Sequence, residues 1–557
     1  MDIPLRPNPI GLITPPWDAI KNSNRLQRQQ QDVLLDLFWQ GYHASHPVLD
    51  EASFRKHYNS LWESPSFRKP CPLVDSVLAL CIQFGSTYTS FGDCNESTSN
   101  TPSTPGREFY LRAQCYLSQN LECQSLMTAQ CYFLNAIYLL ATNHVNSAHS
   151  MVGTAIRVAQ SLGLHQEGSG GEPIEESGLG ESRKRLWDCL VTLDIQLSIR
   201  LGRPFALPDL QSEHHGPYPD NRAEAVGPAY SLSPKSGINW LSFLYERRRL
   251  FGLVREIHDE FYAVCEDVLE EIDAPDFYQH AASREKCARF LFEQMKKLKN
   301  WAQELPEGLK TPRRNGMPFS VDRSPLDLSH CDPIWLQRQR LILEIEYHSC
   351  SIILRRPFIS FLPTPALGTL TSDNHCIVTG NSAIAVTNIL HQAMKDSDIL
   401  TGCYQVVNWQ QNAMFGLAGF ACGYPICPLS PSVRRCMPTA AAVFELARAA
   451  DKADLANSLK DKTSEILKDF GQKIGIPNLA TIPSPRGSGN STSTNAQSPV
   501  NPDLAMMEIG DRIVPGADGL FGIDAENMWT MDCPTGTLLW GDLMRDFGTE
   551  LMPPIAE

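Results

Sequence analysis

Glu266, Asp267, Glu270 and Glu271, a few residues beyond Asp259 and Glu260, are the nearest approach in this chain to a magnesium-binding carboxylate cluster. Diphosphate chemistry in an all-helical enzyme needs such acids on one helix face, as in Asp-Asp-x-x-Asp, because Mg²⁺ takes hard oxygen ligands. Glu266 and Glu270 share a face, yet no second acidic motif completes a site, and a solvated acidic face is the better reading. His43 and His46 lie three apart, and His214 adjoins His215, with Asp50 and Glu213 nearby in sequence. Neither set has a recognised ligand spacing. Cys422 and Cys427 sit in an apolar stretch and read as buried thiols. His-Glu-x-x-His, Gly-x-Ser-x-Gly and Gly-x-x-x-x-Gly-Lys do not occur, so no residue is nominated as catalytic, cofactor-binding or metal-binding.

Bulk properties narrow the classes further. The chain has 557 residues, 42% hydrophobic and 20% charged, which is ordinary for a globular protein with a large core. Its net charge of −14 does not advertise a nucleic-acid surface. Eleven acids against two arginines over 501–557 make a net of −9, so the acidity is mostly a tail property. Seventeen cysteines at irregular spacing suggest no disulfide framework. The N-terminal twenty residues hold five prolines and no apolar run, which argues against a signal peptide. The uncharged stretch 412–429 is broken by glycines and prolines and reads as a buried helix end, not a membrane span. The expected compartment is reducing, cytosolic or nuclear.

The elements that must position any site are helices. Asp32 is the expected N-cap of a first helix with Leu34, Leu35, Phe38 and Trp39 on its apolar face. Asp50 restarts a helix after Pro47. The Ser/Thr/Pro-rich stretch 93–106, the Gly/Glu-rich stretch 166–181 and the Pro-rich stretch 214–237 read as loops. Helical periodicity recurs to about residue 475, and alternating β-branched runs are few, so the expected fold is all-α. The division is a disordered N-terminus over 1–24, one large helical domain over 25–475, a Ser/Pro/Gly linker over 476–502 and an acidic-aromatic tail over 503–557.

The most informative helix is "RKRLWDCLVTLDIQLSIRLGRPFALPD" (183–209). Leu186, Leu190, Leu193, Leu197 and Leu201 form a stripe for a core. Gly202 offers a left-handed cap and Pro204 forbids continuation. Asp188, Asp194, Arg203 and Asp209 frame the stop.

With "AIRVAQSLGLH" (155–165) before it, this stretch resembles the centre of the fungal-specific transcription factor domain, the helical regulatory region of fungal zinc-cluster transcription factors. The matching residues are Ala155, Arg157, Ala159, Leu162, Gly163, Leu164, His165, Arg183, Arg185, Leu186, Trp187, Asp194, Gly202, Arg203, Pro204 and Asp209. Lys184 stands where the family has the first Arg of an Arg-Arg pair. "LLDLFWQGYHASHPVLDEASFRKHY", "LKNWAQELPEGL" and "LEIEYHSCSIILRRPFI" are similar to other parts of the family, so the likeness spans about residues 30–430. The resemblance implies structural roles for Arg185, Trp187, Asp194, Gly202, Arg203, Pro204 and Asp209, with Arg185, Asp194, Arg203 and Asp209 as expected pairing partners around the helix end.

The family's DNA-binding module is a cluster of six cysteines on two zincs. No Cys precedes Cys71 and no Cys-x-x-Cys occurs, so no cofactor is expected on these residues, zinc only with a further N-terminal cluster. That argues against direct DNA recognition by them. In the tail, Phe521, Trp529, Trp540 and Phe547 lie among acids that keep aromatics solvated and free to dock as a short helix; the alternative is a C-terminal helix packed on the domain. The resulting expectation is a nuclear transcriptional regulator with an acidic activation tail that meets the transcription machinery or a coactivator. A metabolic or secondary-metabolite gene set is one setting for such factors, homo- or heterodimers stay open, and no membrane is implied. The alternatives are a helical interaction or decoy subunit of related factors, and an all-α small-molecule enzyme.

Overall fold

A computed structural model describes residues 26–64, 67–85, 104–166, 178–207, 218, 238–274, 276–278, 280–328, 332–361 and 370–473. Asp209, the 476–502 linker and the tail with Phe521, Trp529, Trp540 and Phe547 lie outside the described residues. Among those described, fourteen α-helices, three short π or 3₁₀ turns and a single two-stranded hairpin account for the regular structure, so the fold is all-α.

The chain divides into two compact units, the first holding Met1–Gly252 with Thr401–Tyr404, the second Leu253–Leu400 with Gln405–Glu557. In the first, α1 (Arg28–Leu37) runs into a π-turn and is followed by α2 (Glu51–Ser60). A hairpin of β1 (Trp62–Ser64) and β2 (Phe67–Arg68) leads to α3 (Pro72–Gly85), α4 (Arg107–Gln119), α5 (Leu126–Ala141), α6 (Val145–Ser161) and α7 (Gly178–Leu201). α8 (Ser242–Ile272) carries the unit boundary. Asp50 caps α2, its carboxylate accepting from the Ser53 N–H at 2.8 Å. The first helix starts a turn before the expected Asp32 cap. Gln27 is its N-cap instead, and the Gln30 side chain reaches back to accept from the Gln27 N–H at 2.9 Å. Likewise α7 begins at Gly178, inside the stretch read as a loop from composition.

The second unit contains α9 (Ala281–Glu304), α10 (Ile334–Arg355), α11 (Leu370–Asp396), α12 (Gln405–Gly423), α13 (Ser430–Leu446) and α14 (Ala450–Lys473). α11 packs against α9, α10, α12 and α13. A helix enclosed by that many neighbours loses its polar face, and α11 accordingly buries Ser372, His375, Thr379, Ser382 and Thr387 beside its aliphatic residues. The uncharged stretch 412–429 lies in α12 up to Gly423, with Ala413, Leu417, Ala418 and Phe420 buried, and leaves the helix there. No helix among the described residues is long and apolar enough to cross a membrane.

Three buried charges of the first unit form one knot. Asp75 of α3 is 1% exposed and accepts from Arg68 Nη2 at 2.5 Å and Arg112 Nε at 2.6 Å, with a second bond from Arg112 Nη2. Arg68 Nε also donates to Gln31 Oε1 at 3.0 Å. One carboxylate thereby ties β2, α3 and α4, and through Gln31 it reaches α1. Removing one member of a buried charge set strands the others without water, at a cost of about 3–5 kcal/mol. Asp75→Asn keeps the side-chain shape but leaves two guanidiniums facing a neutral amide. It is expected to lower unfolding stability by about that amount in urea titration, and a change within error would show that water already screens the knot.

Candidate functional site

The motif helix α7 turns its leucine stripe inward as its periodicity requires. Leu186, Leu190, Leu193 and Leu197 are buried, and Trp187 is buried against the His165 ring, 6.0 Å away, where the preceding Leu-Gly-Leu-His segment ends. Gly163 in that segment and Gly202 after α7 both have positive φ, 71° and 59°. A left-handed residue after the last helical turn is where glycine avoids the Cβ clash.

Charged residues flank the stripe in two groups. Near the start, Arg185 is buried; its Nη2 donates to Ser182 Oγ at 3.0 Å, and Glu181 lies 4.0 Å from its Nε. The guanidinium also sits 5.7 Å from the Trp240 ring centroid. His43 is buried between Trp39 and Trp240, and its Nε2 bonds the Leu49 carbonyl at 2.9 Å, which assigns the proton to Nε2. Burial, then the positive charge of Arg185, pushes the His43 pKa down to about 3, so the ring is neutral near pH 7. Asp188 accepts from the Tyr218 hydroxyl at 2.6 Å and lies 3.9 Å from Arg248 Nε. Burial, followed by the Asp188 charge, raises the Tyr218 pKa well above its usual value.

The second group shapes the helix end. Asp194 is buried, and its Oδ2 accepts from the Ala206 N–H at 3.0 Å, folding the departing chain back along α7. Ser198 donates to the Pro204 carbonyl at 3.3 Å, and the Arg203 N–H bonds the Ser198 carbonyl at 2.9 Å. These bonds carry Leu207 into the core, where it is buried. Gly202, Arg203 and Pro204 themselves are exposed. The Arg203 guanidinium turns to α6: Nη2 donates to Asn146 Oδ1 at 2.5 Å, and Nη1 lies 3.4 Å from His149 Nδ1. The turn is a splice between helices, with its acid spent on a backbone N–H.

Thus the structure brings Arg185 and Trp187 into the core beside His43 and His165 and sets Asp194 under the turn. It places Arg203 on α6 and not on Asp194. Sequence reasoning missed Tyr218, which falls in a Pro-rich stretch with no periodicity to betray it. It missed Asn239 too, whose Oδ1 accepts from the N–H groups of Leu241 and Ser242, both at 2.9 Å, just before α8. An Asn three residues ahead of a helical pattern is the signal that would have found it. Among the described residues no group of three or more His, Cys, Asp or Glu is placed to hold a metal ion. His43 and His46 do share a buried turn, but His46 stacks on Tyr404 at 6.5 Å between ring centroids. The described residues therefore offer no fit for a zinc cluster.

The chain matches the model of the fungal specific transcription factor domain over residues 35–301, from α1 to α9. It is 33% identical to the terreic acid cluster-specific transcription factor atF of Aspergillus terreus over 445 residues, 77% of this chain and 66% of that protein. It is 31% identical to the transcription factor asqA of Emericella nidulans over 427 residues, 74% of each chain. To the oosporein cluster regulator OpS3 of Beauveria bassiana it is 23% identical, over 72% of this chain and 56% of that protein. The chain thus spans between about half and three quarters of the length of these relatives.

Two outcomes follow from this geometry. Asp194→Ala strands the Ala206 N–H and is expected to cost about 1–3 kcal/mol, whereas Arg203→Ala, exposed and screened, should cost under about 1 kcal/mol. Gly202→Val should cost about 1–2 kcal/mol. Chemical denaturation ranks the three, and an Arg203→Ala loss equal to that of Asp194→Ala would reject the splice. The second concerns pH. With a folded pKa of about 3 against an ordinary 6.5, His43 binds fewer protons in the folded state between those values. Its contribution is therefore complete above pH 6.5 and lost as pH falls toward 3. His43→Gln should flatten the fall of unfolding free energy below about pH 6 by up to about 1.4 kcal/mol per pH unit. An unchanged slope would mean that His43 is protonated in the folded state.

Proposed function

The chain belongs to the fungal-specific transcription factor family, a family of transcriptional regulators, and from that membership we propose that it controls a secondary-metabolite gene cluster from the nucleus. The observation that supports a regulator is the alignment with asqA over 74% of both chains, which runs well beyond any single motif, and the one that supports a gene cluster is the likeness to the terreic acid cluster-specific factor. A further relative bears the name of a cluster regulator, for oosporein. Membership sets the chain among transcription factors. The geometry of the motif helix supports the same reading, because every charged group described there serves packing, capping or a helix splice.

In this reading the helical region is the regulatory body and residues 503–557 are the activating segment. Aromatic anchors supply most of the docking energy of such a segment, and the acids around them keep it soluble until a coactivator groove is met. Zinc enters only through a cysteine cluster additional to these residues; without such a cluster, a second copy or a related factor would have to supply the DNA contact.

Fusing residues 501–557 to a foreign DNA-binding domain is expected to raise transcription of a reporter. Replacing Trp529, Trp540 and Phe547 together by Ala should return it to background, since each buried anchor is worth about 2 kcal/mol or more. Asp524→Asn alone should only weaken it. Equal activity of the triple variant and its parent would reject docking through aromatic anchors.

A further inference from the structure

We propose that the second unit binds a small molecule bearing an oxyanion, a carboxylate or a phosphate, in a cavity between the 312–327 loop and α11. The cavity is about 140 Å³, close to the size that in other proteins admits one ring of six carbons. From the loop it is lined by Arg313, Ser320, Arg323 and Ser324, and from α11 by Asn388 and Gln392. The apolar remainder includes Ala385 and Ile389. Two guanidiniums, two hydroxyls and two amides face the space and no carboxylate lines it. That is the donor set that recognises an oxyanion.

The loop is a built structure. Arg314 N–H bonds the Pro325 carbonyl at 2.9 Å and Asp327 N–H the Pro312 carbonyl at 2.8 Å, which closes its base. Gln392 grips it from α11, accepting from the Leu326 N–H at 2.8 Å and donating to the Leu326 carbonyl at 3.0 Å. Glu344 of α10 grips it again, accepting from the Phe319 N–H at 2.9 Å and from Arg313. Asn315, Phe319 and Arg323 all hold left-handed φ, at 62°, 57° and 64°. Gly316 must lack a side chain, because a Cβ there would lie 1.8 Å from Ser324 Oγ. Non-glycine residues hold that conformation only where the surroundings over-determine it.

The nearby acids are already engaged. Glu344 holds the loop as described, and Asp322 accepts from the N–H groups of Ser324 at 2.9 Å and Met317 at 3.1 Å. The two hydroxyls already donate within the loop, Ser324 Oγ to Asp322 Oδ1 at 2.5 Å and Ser320 Oγ to the Met317 carbonyl at 2.7 Å, and the Gln392 amide is spent on Leu326, so the donors left for a ligand are those of the two arginines and Asn388. Arg313 has a side chain 4% exposed; its Nη1 donates to the Ser324 carbonyl at 2.9 Å and its Nη2 bonds Glu344, while its buried Nε has no hydrogen-bond partner. Arg323 spends Nη1 on Ser432 Oγ at 3.1 Å. Asn388 is half-buried on the α11 wall. A buried donor without a partner costs free energy that a ligand oxygen would recover.

The test is calorimetric titration of the full chain with malonate and, separately, with inorganic phosphate, each against sodium chloride of matched ionic strength. It needs no transcriptional readout and so stands or falls apart from the regulatory reading. Saturable one-to-one binding of either probe is expected, malonate alone indicating a carboxylate ligand and phosphate alone a phosphate. Asn388→Leu, which fills the cavity, and Arg323→Ala should each weaken binding about tenfold or more, the loss of one charge-assisted or buried hydrogen bond. Arg323 is exposed, so its variant keeps the test decisive if Asn388→Leu does not fold. Saturation by neither probe, or binding that Arg323→Ala leaves unchanged, overturns the proposal.

Discussion

A guanidinium cannot shed its proton inside a protein, so each arginine drawn into a helical core must bring an acceptor with it. This constraint organises both units. In the first, Asp75 answers Arg68 and Arg112, and the carboxylate becomes the joint of three elements. In the second, Glu344 answers Arg313 and thereby pins the 312–327 loop onto α10. Burial raises the Glu344 pKa and the adjacent Arg313 opposes it, which shows how the pair balances desolvation against charge. Hydrophobic burial supplies most of the driving force, but it does not say which helix faces which. The paired charges do.

The motif helix applies the same economy at smaller scale. Its acids are occupied by a phenol, a backbone N–H and nearby arginines, and its exposed Arg203 reaches sideways to α6. Such residues are as diagnostic of the family as catalytic residues are of an enzyme. Their service is to hold a long helix end in place so that the chain can leave it at one angle only. A regulator built this way leaves its recognisable motif for architecture.

The buried histidines carry a related cost. His43, His46, His348 and His375 are all pushed down to about 3, first by burial and then by neighbouring arginines. They behave as neutral polar rings in cores rich in cationic groups, which is why a histidine pair in the sequence, such as His43 and His46, was a poor guide to a metal site. The same cationic surplus gives the cavity beside Arg313 its character.

Local rules were sufficient for a good part of this protein. The helical periods, the Asp50 cap, the glycine stop at Gly202 and the order of the family motifs all follow from neighbours within a few residues, so the all-α class and the family were legible from the sequence. Where two local rules competed, the reading slipped: Asp32 looked like a cap, but Gln27 and Gln30 close the helix a turn earlier. The partners were not legible. Arg203 finds Asn146 across 57 residues and Asp188 finds Tyr218 across 30, and the cavity joins a loop to a helix some 60 positions later. A side chain advertises the charge or hydrogen bond it needs, but only the packing of distant helices brings a particular acceptor within 3 Å. That choice belongs to the tertiary structure, because hydrogen-bond and ion-pair energies depend on distances in space and not along the chain.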